Sequence, residues 1–136
     1  MSHYSKIKTK IVERDALCAA LKDMGFTNIE IHEHAQGLYG YKGDLRPEKA
    51  EVVIRRKFIG MASNDIGFKL GDDGAWEAII SEYDQSILGS DWVNKVSQRY
   101  AEYAILPKLA AQGFVVSERD IDPVTKKVHL RLKRGG

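Results

Sequence analysis

The chain has 136 residues, 43% hydrophobic and 29% charged, and its 21 basic and 19 acidic side chains leave a formal net charge of +2. That balance excludes an intrinsically disordered chain, and no apolar run approaches the roughly 20 residues a bilayer-spanning helix needs. So small a charge announces neither nucleic acid nor a membrane surface by itself, and the length fits a single domain, 1–136. The opening Met1-Ser2-His3-Tyr4-Ser5-Lys6 holds no apolar core of a secretory signal. The lone cysteine, Cys18, forbids an intrachain disulfide and a multi-cysteine zinc site, and fits a reducing compartment.

Lys6-Ile7-Lys8-Thr9-Lys10-Ile11 alternates basic with apolar or β-branched residues, the period of a half-buried strand with Ile7, Thr9 and Ile11 on the core. Lysines facing outward also blunt a sheet edge. Asp15 stands where an N-cap is wanted, and Leu17, Leu21 and Met24 share one side of a short helix. Gly25 closes it as a left-handed cap, with Phe26 packing back on the last turn. A strand over 28–34 sets Ile29 and Ile31 on one face and Glu30, His32 and His34 on the other. With Gly37, Gly40, Gly43 and Pro47, the stretch 35–49 reads as a loop holding a brief extended piece at 38–41. A strand over 51–58 alternates Val52, Ile54 and Phe58 against Val53, Arg55 and Lys57.

Ile66, Phe68 and Leu70 form the next strand's inner face, and Gly71-Asp72-Asp73-Gly74 turns the chain into a return strand over 75–83. Ser90 or Asp91 caps the longest helix, 92–112, whose stripe of Trp92, Val96, Tyr100, Tyr103, Leu106 and Ala110 should cover the core. Pro107 should kink or split it. After Gly113, two closing strands at 114–116 and 128–132 flank a turn at Asp122-Pro123. The order β-α-β-β-β-β-α-β-β predicts an α+β domain: a largely antiparallel sheet, one short and one long helix on one face, the other face open. Leu21-Lys22-Asp23-Met24-Gly25-Phe26 echoes Leu109-Ala110-Ala111-Gln112-Gly113-Phe114, either a pseudo-twofold or simply the usual way helices stop.

Three stretches carry a family likeness: the opening Met1-Ser2-His3-Tyr4 with its Ile-Lys-Thr strand, the pair Ala50-Glu51-Val52-Val53-Ile54-Arg55 and Asp65-Ile66-Gly67-Phe68-Lys69, and Val93-Asn94-Lys95-Val96-Ser97-Gln98-Arg99-Tyr100-Ala101 with Gln112-Gly113-Phe114. On these the chain resembles the domain of unknown function 1257 family, which includes hypothetical reading-frame proteins of algal chloroplasts and cyanobacteria. The resemblance implies a soluble protein of the cytoplasm, or of the stroma in plastid relatives, and carries over no catalytic residue.

No G-x-x-x-x-G-K-[ST] or G-x-G-x-x-G phosphate loop occurs. Residues 37–43 spell G-x-x-G-x-x-G, but Leu38, Tyr39 and Tyr41 fill it and no helix follows, so a flexible loop is the reading. His32 and His34 point the same way and could join His3, His129 or Glu30 as metal ligands, although their spacing equally suits the polar face of an edge strand. No metal and no cofactor are expected. Cys18 reads as a small buried hydrophobe with no histidine to activate it.

Basic clusters at Arg55-Arg56-Lys57, Lys126-Lys127 and Arg131, Lys133 and Arg134, with Tyr39 and Tyr41, could serve single-stranded nucleic acid. The carboxylates Glu30, Glu33, Glu48, Glu51 and Glu118 oppose that. Arg99, in Gln98-Arg99-Tyr100, either pairs with a carboxylate such as Asp65 or Glu82 or rims a partner surface. Arg55, Lys57, Arg99, Tyr39 and Tyr41 are therefore the candidate binding residues. With no catalytic set to make an enzyme, the reading is a protein-interaction or assembly module docking another protein on its open sheet face or edge. Weak nucleic-acid binding and a small-ligand pocket beneath the long helix compete with it; no membrane partner is expected.

Overall fold

The alternating lysines form strand β1, Tyr4–Lys8, in the computed structural model, which describes residues 3–125 and 127–135. Met1 and Ser2 of the opening motif and Lys126 of the second basic cluster lie outside the described residues. The chain continues through helix α1 (Arg14–Asp23), strands β2 (Ile29–Tyr39), β3 (Leu45–Ile54), β4 (Ile66–Leu70) and β5 (Trp76–Ser81), helices α2 (Glu82–Leu88) and α3 (Trp92–Ala111), and strands β6 (Phe114–Ile121) and β7 (Val128–Arg134). The fold is α+β. Strands β1 to β5 make an antiparallel sheet in the order β1-β5-β4-β3-β2, so the lysine-bearing strand is an edge, and β6 and β7 form a separate two-stranded sheet.

β1 stops three residues short of Ile11. Thr9 donates from its hydroxyl to the Trp76 carbonyl at 2.5 Å and accepts the Ile11 N–H, which takes the chain out of the ladder, yet Ile11 is still buried. In α1 the N-cap is Glu13; Asp15 lies inside the first turn, where its charge faces the positive helix end instead of capping it. The C-terminus follows the sequence closely. Gly25 takes φ +102°, its N–H donates to the Lys22 carbonyl, and the Phe26 N–H donates back to the Leu21 carbonyl at 3.0 Å. Phe26 then meets Trp92 edge-on at 5.7 Å.

The register sets Val52, Phe68 and Ala78 side by side on the helix-covered face, where Leu17, Leu21, Trp92, Val96 and Tyr100 pack on them. Val53, Gly67 and Ile79 share the opposite face. That face is not open. The 35–49 stretch is the long β2–β3 hairpin rather than a loop, with its turn reduced to 40–44. Gly37 pairs with Lys49 within the hairpin, and a Leu45 methyl lies 2.5 Å from where its Cβ would stand, so the glycine allows a close approach. Register shifts between Ile31 and Gln36 and between Gly37 and Tyr39 bend the hairpin, and Leu38 and Ala50 close over Val53 and Ile79 as a second small core. Ile31, paired with Val52 on the edge strand, is exposed.

β3 ends at Ile54, and Arg56–Phe58 is a 3₁₀ turn, so Phe58 and Lys57 do not continue a strand alternation; Phe58 is exposed. Leu70, at the end of β4, is also exposed. β5 gives way at Ser81, which accepts the Asp84 N–H and starts α2, a helix absent from the sequence reading. α3 runs through Pro107 as one helix, but its contact with the main core ends at Tyr103 and Ala104, and Leu106 is only half-buried. Gly113 has φ +86°, matching Gly25 as a helix stop, yet the strands that follow the two glycines join different sheets, so no twofold relates them.

Candidate functional site

Arg55 follows the last residue of β3, and Glu30 stands opposite Val53 on the neighbouring strand. From there the guanidinium donates to Glu30 at 2.9 Å, to the Gly37 carbonyl at 3.0 Å and to Asp65 at 2.8 Å. Asp65 is 1% exposed, and its carboxylate also accepts the backbone N–H groups of Tyr39 and Arg56, at 2.8 and 2.7 Å. One buried carboxylate thus ties the curled hairpin, the Arg55 fork and the start of the 3₁₀ turn together. Such a charge is tolerated inside only because its oxygens are satisfied.

The neighbouring residues extend this base. Asn64 accepts the Tyr41 N–H at 2.9 Å and donates its amide to Ser81, while its own backbone N–H donates to Asp84. The Ser81 hydroxyl donates to Asp84 at 2.6 Å, and the Tyr4 hydroxyl donates to the Asp65 carbonyl at 2.7 Å. Burial, aided by Asp65 and Asp84, pushes the Tyr4 phenol well above its ordinary value, so it stays a donor. The hydrogen bond from Arg55 holds the Glu30 carboxyl below its usual range; His32, with Nε2 at 2.8 Å from Glu30, adds to this.

Above this base an open groove of about 540 Å³ is lined by Tyr39, Gly43, Arg55, Arg56, Lys57 and Asp65. A second hollow of about 450 Å³ is bounded by 56–61, so Arg56 and Lys57 line both. The Arg55 guanidinium lies 5.7 Å from the Tyr39 ring and the Lys57 ammonium 5.0 Å from the Phe58 ring. Tyr39, Arg55 and Lys57 are therefore brought to one groove, with Tyr41 beside it through Asn64. Arg99 is elsewhere: it leaves α3 for Asp23 of α1 at 2.8 Å, and not for Asp65 or Glu82. Asp23 and the buried Glu102 also receive Arg119 of β6, with Nη2 at 2.8 Å from Glu102. The residues missed from sequence are Asp65 as organiser, Glu30 as the second carboxylate on Arg55, and the exposed Phe58 and Met61. The one available signal was Ser63-Asn64-Asp65, a polar run set directly before an apolar strand.

The other candidates separate from this groove. His34 is exposed, and among the described residues no group of three or more His, Cys, Asp or Glu side chains could hold a metal ion. Cys18 is buried, and burial pushes its thiol up. Arg131 and Arg134 belong to the β6–β7 sheet, where they meet Glu118 and the Phe114 ring. The first half of α3 packs Trp92, Val96 and Tyr100 into the core, and a hollow of about 520 Å³ lies farther along between α1 and α3, lined by Arg14, Ala16, Tyr103 and Pro107 among others. No helix of the described residues is long and apolar enough to cross a membrane.

The profile of a family described as protein of unknown function, DUF1257, matches residues 20–126, which takes in the whole groove. The chain belongs to that family. It is similar to the uncharacterized protein ycf35 of Pyropia yezoensis, 28% identical over 117 residues that cover 84% of this chain and 83% of the relative. It is also similar to the ycf35 protein of Cyanophora paradoxa, 24% identical over 125 residues, 90% and 89% of the two chains. No solved structure matches this chain. DUF1257 is a family of unknown function, so its members lend no activity.

Proposed function

We propose that this DUF1257 protein is a non-enzymatic binding module that docks another protein on the face formed by Tyr39, Arg55, Lys57 and the turn after them. One observation carries the reading: Met61 is 96% exposed and Phe58 45%, on a turn whose base is anchored by a carboxylate that is 1% exposed. Apolar side chains held out on a fixed base, next to arginine and tyrosine, have the composition of interface hot spots. A nucleic-acid role has less support, since Glu30 and Asp65 already take up the Arg55 charge. A reducing compartment, cytoplasm or stroma, fits the buried thiol of Cys18.

The test is a photo-crosslinking amino acid placed at position 61 in the native host, with adducts identified by mass spectrometry. A discrete protein adduct that disappears with Phe58→Glu is the expected result. A nuclease-sensitive adduct, or a protein adduct indifferent to Phe58→Glu, would defeat the proposal.

A further inference from the structure

We infer that the segment received in this groove is an acidic peptide with an apolar side chain among its carboxylates, an inference that rests on the docking role just proposed. The charge balance at the surface is the reason. Arg56 donates to the Met61 carbonyl at 3.2 Å and Lys57 lies over Phe58, and neither forms an ion pair among the described residues. Lys42, at the hairpin tip, rests 5.6 Å from the Tyr41 ring and likewise has no carboxylate partner there. The carboxylates nearby are already committed. Asp65 is buried under three N–H donors, Glu30 holds Arg55 and His32, and Asp44 stands 3.7 Å from Arg46.

The groove therefore offers solvent cations without matching anions, beside the apolar surface of Phe58 and Met61. An acidic side chain reaching Lys57 or Arg56 would be paired there, and a leucine or phenylalanine next to it would cover the exposed ring and thioether. Nucleic acid is the weaker match to the same charge. Its affinity depends on a track of cations along the phosphates, whereas here Arg56 and Lys57 stand beside the apolar Phe58 and Met61. Two hollows of about 540 and 450 Å³ sharing Arg56 and Lys57 suit a few residues of extended chain.

Fluorescence anisotropy on the full chain would use a labelled eight-residue peptide of Glu and Asp with a central Leu-Phe pair. Its Gln/Asn counterpart, a Ser-Ser centre and a labelled oligothymidylate are the comparisons. Binding of the acidic peptide should weaken at least about tenfold with the Gln/Asn peptide, with Lys57→Glu and with the Ser-Ser centre, and should fall as salt rises. Lys133→Glu, on the separate β6–β7 sheet, should leave it unchanged. Lys57 is exposed, so its variant should keep the wild-type melting temperature, which the same samples report. Equal binding of the Gln/Asn peptide, an equal effect of Lys133→Glu, or tighter binding of the oligothymidylate would overturn the inference. A crosslinked partner at position 61 without acidic-peptide binding would sink the peptide chemistry alone; loss of both would sink the docking role with it.

Discussion

Arg55 and Asp65 sit on either side of the irregular 3₁₀ segment and meet at 2.8 Å, with the carboxylate almost wholly inside and the guanidinium at the groove. The pair joins the hairpin to the turn through shared backbone donors, so its loss leaves several groups unpartnered at once. Asp65→Ala should destabilise the fold by about 3–5 kcal/mol, read as a lower urea midpoint. Asp65→Asn keeps an acceptor and should cost less. If both variants unfold like the wild type, the carboxylate does not organise the site.

Acid should loosen the same region. The Glu30 carboxyl is held below its ordinary value, chiefly by the Arg55 hydrogen bond and then by His32. A carboxyl depressed in the folded state contributes stability that is fully present above the ordinary glutamate value and is lost as pH falls through the lowered one. Urea midpoints taken from neutral pH into that acid window should therefore drop more steeply for wild type than for Glu30→Gln. Parallel curves would show that Glu30 gains nothing from Arg55.

The second core leaves no room at Gly67. A Cβ there would stand 2.5 Å from the Ala50 Cβ and 3.1 Å from a Leu38 methyl, both on the curled hairpin. Gly67→Ala should destabilise by about 1–3 kcal/mol through overpacking. Adding Ala50→Gly opens the space, so the double variant should be more stable than the sum of the singles implies. Strict additivity would mean that the hairpin does not cover this face.

The two ends of α3 should respond unequally to truncation. Trp92 is buried between Phe26 and Phe68, and Trp92→Ala should cost about 3–5 kcal/mol. Leu106 lies past the main core and is half-buried, so Leu106→Ala should fall below the roughly 2–5 kcal/mol of a core leucine. Thermal melts of the two variants, side by side, measure the difference. Equal losses would place the far end of the helix in the core after all.

Some of this was settled by neighbours along the chain. The lysine alternation of β1, the helix stops at Gly25 and Gly113, the Gly71–Gly74 turn and the α3 stripe as far as Tyr100 follow from steric preferences and periods that span a few residues. The family likeness was also legible there, and the DUF1257 match over residues 20–126 agrees with it. Of the five candidate binding residues, three line one groove, but nothing in their spacing excluded Arg99, because its partner Asp23 is 76 residues away. The rest was decided only by tertiary structure. Whether a glycine marks a turn or a close approach depends on which side chains pack against it, as Leu45 does at Gly37 and Ala50 at Gly67. Asp65 is buried because the curled hairpin and Arg55 supply donors to a charge that would otherwise need water, and those donors come from residues 39, 55 and 56. The Arg56 N–H, free of the ladder beyond the end of β3, is held by that same carboxylate at the start of the 3₁₀ turn, after which Phe58 and Met61 are exposed.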